Sequence, residues 1–256
     1  MIRVYSHSQL EAFEDCPKRY AYRYVWRQES RKARGVEGFM GNLVHSTIER
    51  TFHHFAHHGT IATLTTLLDS YRREWDFQRP ERGLYVAKRD REELDYLKDG
   101  RRALANFHGK ATRGEFAMSP ISVERPLDFV VAGRQFTGVV DYLAKDAQNR
   151  LIVLDWKTGK PKDTSNDRQL PLYEIGLRQT YDDAAPYVLV HEFLTFGVTR
   201  RREAAADSLR EVEERAGRVC ASIEAADTAG GPWPARPSGL CGWCDFSDVC
   251  EESRAK

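Results

Sequence analysis

The sequence predicts an α/β fold in which a mixed β-sheet is flanked by helices. Apolar residues recur at helical spacing through about the first 115 residues, whereas past Pro120 they alternate with a period of two. A chain of 256 residues can bury one substantial core, whereas dividing it into two domains would leave each of them small. We therefore expect one domain, with a mainly helical part at 1–115, a sheet core at 116–205, and a C-terminal helix and Cys-rich loop at 206–256.

The helical part divides at sequence signals for helix ends. A serine at position 6 or 8 can cap an opening helix, and Pro17 interrupts or restarts it. In the next segment apolar side chains recur every three or four residues, and Gly59 can end it. Amphipathic patterns predict two further helices. The three segments after the opening helix lie at about 38–58, 60–77 and 88–108.

Alternating residues then predict three consecutive strands at about 121–131, 134–144 and 150–156. Turn signals at Ala132-Gly133 and Gln148-Asn149 join them into an antiparallel meander. After the meander we expect a helix at about 167–181, a strand at 187–197, a basic stretch, a helix at 207–226 and a loop-like tail.

Composition favours an ordinary soluble protein. The charged fraction is 30% and the net charge is +1, unlike a disordered chain. No run of 18 apolar residues occurs, and the N-terminus lacks the apolar core of a signal peptide, so we expect no membrane span and a cytoplasmic location.

Basic residues cluster at 18–34, where they are interleaved with Tyr20, Tyr22, Tyr24 and Trp26, and again at Arg200–Arg202. Such clusters are usually solvated faces. Rings among cations also suit a single nucleic acid strand, so we treat both clusters as hypothetical tracks for one.

Acidic residues end two neighbouring predicted strands. Asp141 follows one apolar run, and Asp155 ends the next. Asp155 and Lys157 are two residues apart, so they share a face of the strand. Converging carboxylates bind Mg²⁺ or Mn²⁺, and a nearby ammonium neutralises developing charge, which is the chemistry of phosphodiester hydrolysis. The segment WKTGK is not a Walker A motif, because Pro161 replaces the required Ser or Thr.

The segments Gly138-Val-Val-Asp141 and Asp155-Trp-Lys157-Thr-Gly resemble motifs of the PD-(D/E)XK nuclease superfamily, in particular its RecB-like branch. Gly41-Asn-Leu-Val-His45 resembles the branch's helical histidine element, and Gln169-Leu-Pro-Leu-Tyr173 its Q-x-x-x-Y element. The likeness spans Ser6 to Cys250. It implies a restriction-endonuclease-like mixed sheet.

The resemblance also implies roles for individual residues. His45 would join Asp141 and Asp155 as a metal ligand, with the backbone carbonyl of Trp156 completing the shell. Lys157 would position or activate water. Gln169 and Tyr173 are neighbours at i, i+4 and would have an active-site or strand-positioning role. Glu124, on the preceding strand, could approach the same edge, but we expect it to form a salt bridge or lie at the surface.

The five cysteines are an odd number, which argues against a disulfide framework. Cys241, Cys244 and Cys250 offer three thiolates from one short loop, and Cys16 is the candidate for a fourth. A structural zinc site and four unrelated thiols both remain open. Cys220, on an amphipathic helix, is expected to be a buried small hydrophobe.

The one-plus-three spacing resembles the iron–sulfur nucleases of the same branch, the AddB-type nuclease domains and the Cas4-like proteins, as does the segment around Cys16-Pro-Lys-Arg-Tyr. The resemblance implies a [4Fe–4S] cluster on Cys16, Cys241, Cys244 and Cys250, with Zn²⁺ as the alternative. Such a cluster would join the N-terminal helix to the C-terminal loop.

Taken together, these features predict a metal-dependent deoxyribonuclease, an exonuclease on single-stranded DNA, acting in repair and recombination or in CRISPR adaptation. No helicase motor is encoded, so a helicase or an integrase-type protein would be a separate partner. Two alternatives remain: a catalytically silent DNA-binding subunit stabilised by the cluster, and a redox sensor.

Overall fold

The computed structural model describes residues 3–30, 33–181, 186–203 and 205–253. Its helices are α1 (His7–Asp15), α2 (Pro17–Tyr20), α3 (Val36–His58), α4 (Leu64–Gln78), α5 (Glu93–Thr112), α6 (Gln169–Arg178) and α7 (Ala206–Thr228). The strands are β1 (Val4–Tyr5), β2 (Ser122–Val131), β3 (Arg134–Lys145), β4 (Leu151–Lys157), β5 (Tyr187–Phe193) and β6 (Val198–Glu203). A π-helical turn at Ala21–Val25 continues α2. None of the described helices is long and apolar enough to cross a membrane.

Helix ends follow the sequence signals. The Ser6 hydroxyl caps α1 by accepting from the backbone N–H of Gln9 at 3.3 Å, and α2 starts at Pro17. The helix α3 ends at Gly59, whose φ of 69° is easily adopted only by glycine and lets its N–H donate to the Phe55 carbonyl.

The sheet is mixed, which confirms the fold class predicted from the sequence. One edge of β3 pairs antiparallel with β2 along its length. The other edge pairs with β1 in parallel near its start and with β4 antiparallel near its end. Beyond β4 the sheet continues through a parallel pairing with β5 and an antiparallel pairing with β6.

Two sequence predictions fail at the far side of the sheet. The strand predicted to reach residue 197 ends at Phe193, where a 3₁₀ turn at Leu194–Phe196 replaces it. The basic stretch after it is β6, an edge strand with Arg200, Arg201 and Arg202 in sequence. Charged side chains along an edge strand discourage pairing with another chain, so its composition reflects its position.

A hydrophobic core lies on each face of the sheet. Because neighbouring strand residues point to opposite faces, Val153 packs with α1, α6 and α7, whereas Leu154 packs with α3, α4 and α5. Both side chains are almost fully buried. Helices on both faces leave the ends of the strands as the place where polar groups can meet.

Packing of α6 on β2 requires a glycine at position 176. A Cβ added there would lie 2.6 Å from Cγ of Phe129 and 2.9 Å from Cδ2 of Leu127. We expect Gly176→Ala to lower the free energy of unfolding by about 1–3 kcal/mol, because overpacking outweighs the gain in helix propensity. Denaturant unfolding followed by circular dichroism measures it.

The matched control is Gly109→Ala in α5, where the nearest atom to the added Cβ is the guanidinium end of Arg113 at 3.3 Å, which can move. This variant should be as stable as the parent or more stable by up to about 1 kcal/mol. Equal stability of the two alanine variants would contradict the packing argument.

Candidate active site

The site lies where β3 and β4 part. Their last paired residues are Tyr142 and Leu154, so the next opposed pair is Asp141 and Asp155. The strand pairing stops there, and the Asp141 carboxylate accepts the backbone N–H of Trp156 at 2.8 Å instead. Both aspartates are buried, with 8% and 3% of their surface exposed. The sequence had placed these two acids at a shared edge, and the structure brings them together.

His45 reaches the same place from α3. Its Nδ1 lies 3.1 Å from Oε1 of Glu124 and 3.6 Å from Oδ2 of Asp141. Its Nε2 lies 2.9 Å from the carbonyl oxygen of Trp156. One ligand atom from each of His45, Glu124 and Asp141 lies within 4.8 Å of the other two. Two carboxylates and an imidazole at this spacing can hold a divalent cation, with the Trp156 carbonyl beside them.

Glu124 forms a salt bridge with His45, one of the two roles expected of it, and this salt bridge lies within the group. In a hairpin with a two-residue turn at Ala132-Gly133, the numbers of any two directly opposed residues add up to 265. The observed pair Arg125 and Val140 follows this rule. Position 124 therefore lies opposite Asp141, and opposed side chains share a face of the sheet. The turn was visible in the sequence, so the register could have identified Glu124. Its φ of 46° is unfavourable for a non-glycine residue and occurs where the ladder skips the 124–141 pair.

The pKa values show how tightly the acids are gathered. Burial alone would lower the pKa of His45, but the hydrogen bond to Glu124 and the nearby carboxylates raise it to about 9. Burial raises the pKa of Asp141 to about 7; the charge of His45 opposes this, and those of Asp155 and Glu124 add to it. A protonated His45 thus provides the positive charge that a bound cation would provide. Cation binding through its ring nitrogen must displace a proton.

Asp155 contacts Lys157 and not the group formed by His45, Glu124 and Asp141. The Lys157 Nζ lies 3.0 Å and 2.8 Å from the two oxygens of Asp155 and 3.0 Å from Oε1 of Gln169. Burial would lower the pKa of Lys157, but Asp155 raises it above its usual value, so the ammonium stays protonated at neutral pH. A charged Lys157 can stabilise negative charge.

Gln169 and Tyr173 stand one turn apart on α6 beside Lys157. The Gln169 Nε2 lies 3.5 Å from the Tyr173 hydroxyl, while its Oε1 accepts from Lys157. The Tyr173 ring lies against Gly138, where an added Cβ would be 2.5 Å from Cε1 of the ring. The glycine of the G-x-x-D segment therefore leaves room for the tyrosine, which links the two motifs.

The four predicted cluster ligands also meet. Cys16, between α1 and α2, lines one cavity with Cys241, Cys244 and Cys250. Backbone N–H groups of Arg236 and Ser238 donate to the sulfurs of Cys16 and Cys241 at 3.3 Å and 3.5 Å. Cys220 is elsewhere, fully buried, and burial raises the pKa of its thiol to about 12, as expected of an inert side chain.

Several side chains of the basic and aromatic cluster at 18–34 contact the C-terminal loop. Lys18 contacts Glu252 at 2.6 Å, Arg23 forms an ion pair with Asp245, and the Tyr22 ring stacks on Phe246 with centroids 5.3 Å apart. Tyr20 is buried. Arg31 and Lys32 lie outside the described residues. In the second cluster, Arg202 donates to the backbone carbonyls of Ser165 and Asp167.

Comparison with known proteins identifies a family. The profile of the PD-(D/E)XK nuclease superfamily matches residues 4–251. A crystal structure of a proposed exonuclease from Eubacterium rectale superposes with a TM-score of 0.57 and 13% identity, over 97% of this chain and 90% of that one. The structure of SSO0001 aligns over 94% and 84% of the two chains with 13% identity, but its TM-score is only 0.38. No curated protein sequence matches the chain.

Glu124 gives a direct test of the metal group. Glu124→Gln keeps the size of the side chain but removes a negative charge beside His45 and Asp141. We expect the Kd for Mn²⁺, measured by isothermal titration calorimetry, to rise by about 10-fold or more. Asp128→Asn, an exposed acid on the same strand, is the control and should leave the Kd unchanged. The same Kd for both variants would remove Glu124 from the metal group.

Proposed function

The chain belongs to the PD-(D/E)XK nuclease superfamily, and we propose that it is a deoxyribonuclease that uses Mg²⁺ or Mn²⁺ to hydrolyse phosphodiester bonds. The observation that carries this proposal is the convergence of Asp141, Asp155 and Lys157 where two strands part. A bound divalent cation supplies Lewis-acid chemistry, polarising the phosphate and making water a better nucleophile. His45, Glu124, Asp141 and Asp155, with the Trp156 carbonyl, would hold it.

The chain's own residues would then orient the substrate. Lys157 is held from two sides, by Asp155 and by Gln169, with 31% of its side chain open to the cavity. Its fixed positive charge can bind a phosphate oxygen and stabilise the charge that grows there during cleavage. Tyr173 keeps Gln169 in place through its hydroxyl. Gln169 and Tyr173 thus act on the reaction through Lys157.

Activity assays with matched variants test the assignment. Asp155→Ala and Lys157→Ala should each reduce Mn²⁺-dependent degradation of labelled single-stranded DNA by about 100-fold or more, because each removes charge from the reacting centre. Asp69→Ala on α4 and Lys98→Ala on α5, both exposed, are the controls. Activity equal to the parent in all four variants would contradict the proposal.

We further propose that cleavage is exonucleolytic and prefers single strands, in DNA repair, recombination or CRISPR adaptation in the cytoplasm, with a helicase or integrase-type partner. The resemblance to the RecB-like branch supports this finer assignment. Parallel assays with 5′ and 3′ end labels on linear and circular DNA separate exonuclease from endonuclease action, because only an endonuclease cuts a closed circle.

At the cysteines we propose a [4Fe–4S] cluster. Cys16, Cys241, Cys244 and Cys250 line one cavity, so thiolates from the N-terminal and C-terminal segments can be ligands of one group. The N–H groups that point at Cys16 and Cys241 suit thiolates of such a cluster.

Anaerobic preparation should give a brown protein with about four iron and four sulfide per chain. Cys16→Ser should lose most of the iron, because it removes the ligand that the N-terminal segment contributes. Cys220→Ala, at the buried cysteine outside the cavity, should keep it. Stoichiometric zinc without iron in the parent protein would overturn the cluster assignment in favour of zinc.

A further inference from the structure

Two tryptophans remain largely exposed beside the Cys-rich loop. Trp26, just after the π-helical turn, is 49% exposed, and Trp243, between Cys241 and Cys244, is 52% exposed. Tryptophan is usually well buried, and exposed aromatic rings are enriched where proteins bind other molecules. About half of the surface of each residue is open to solvent, so both rings are accessible to a ligand.

Both tryptophans adjoin the C-terminal loop. The Trp26 ring contacts Tyr22 with centroids 5.1 Å apart, and Tyr22 in turn stacks on Phe246. Trp243 lies three residues before Phe246 in the same loop. The Ser30 hydroxyl donates to the carbonyl of Asp245 at 2.6 Å, which holds the segment after Trp26 against the loop.

Tyr85 connects the C-terminal loop to the segment that begins α3. The Tyr85 hydroxyl donates to the carbonyl of Gly242 at 3.1 Å, and the Tyr85 backbone N–H donates to the carbonyl of Arg34 at 2.9 Å. Arg34 comes just before α3, whose first turns supply Gly38 and Asn42 to the cavity lined by the catalytic carboxylates. Tyr85 therefore joins Gly242, the residue before Trp243, to Arg34, which lies close to the part of α3 that lines the cavity.

Two exposed cations lie in the segment between Trp26 and α3. Lys18 and Arg23 are paired with acids of the loop, whereas Arg27 and Arg34 follow Trp26 in the sequence and precede α3. The Arg34 guanidinium lies over the Phe39 ring, 5.1 Å from its centroid. With the Asn42 amide turned so that its oxygen faces Arg34, Nη2 donates to it at 2.8 Å, at the rim of the cavity. Cations at these positions suit phosphates that approach the site.

We propose that Trp26 and Trp243 form a platform on which unpaired bases of a DNA strand stack while its backbone passes Arg27 and Arg34 to the active site. This inference rests on the proposed nuclease function. Every base has a π-face, so stacking tolerates any sequence, whereas bases paired inside a duplex cannot offer their faces to the protein. The platform would therefore make the enzyme prefer single-stranded ends.

Binding without hydrolysis tests the platform separately from catalysis. The protein, purified anaerobically and carrying Asp155→Asn, is titrated with fluorescein-labelled oligothymidylate without added divalent metal, and anisotropy gives the Kd. Trp26→Ala and Trp243→Ala should each raise the Kd by about 5-fold or more, the range measured for base stacking. Phe77→Ala removes a ring that is 87% exposed on α4 and should leave the Kd unchanged. A protein without nuclease activity still gives a clear answer.

An abasic strand of the same length identifies the interaction as stacking. It keeps the phosphates but has no bases, so the alanine variants should bind it as the parent does. Trp→Phe variants, which keep a π-face, should bind oligothymidylate nearly as the parent does, and Trp→Leu variants, which keep only apolar bulk, should not. Unchanged affinity in both alanine variants, or equal weakening toward both strands, would overturn the platform.

Discussion

The end of the pairing between β3 and β4 determines the geometry of the site. Had the two strands continued to pair, Asp141 and Asp155 would have been an ordinary cross-strand pair with costly like charges side by side. Instead the strands separate at that pair. The Trp156 N–H, which has lost its partner on the neighbouring strand, donates to the Asp141 carboxylate. The separation makes room for His45 and turns the Trp156 carbonyl toward it. Every other polar contact at the site is built around this opening.

Placing three acidic side chains close together costs electrostatic free energy. Three carboxylates close together and poorly solvated repel one another, and the raised pKa of Asp141 reflects that repulsion together with burial. Without a cation, the protonated His45 and the ammonium of Lys157 offset the charge from opposite sides of the opening. Asp155 belongs to the lysine side and Glu124 to the histidine side, with Asp141 between them. These two cations therefore offset much of the charge of the three carboxylates before any ligand arrives.

The sequence predicts much of this arrangement because the sheet core is made of local pairings. Alternation and two short turns place β2, β3 and β4, and with them Asp141 and Asp155. Hairpin register would also have placed Glu124. Prediction from the sequence fails where the position of a segment depends on packing against distant parts of the chain. The strand β1 has only two residues, and β6 resembles a solvated basic loop. Lys18 and Arg23 look like ligand-binding cations, but they pair with acids of a segment more than 200 residues away.

The contact between the two ends of the chain has a consequence for biosynthesis. The α1–α2 segment is synthesised before Asp245, Phe246 and Glu252, which hold it. Cys16 and Cys241 are separated by 225 residues, so at typical rates of translation the early segment waits roughly 10–45 s for its counterpart. During that interval Tyr22 and the Cys16 thiol have no partner from the C-terminal loop. The packing of α1 and α2 is thus completed only after the Cys-rich loop has been synthesised.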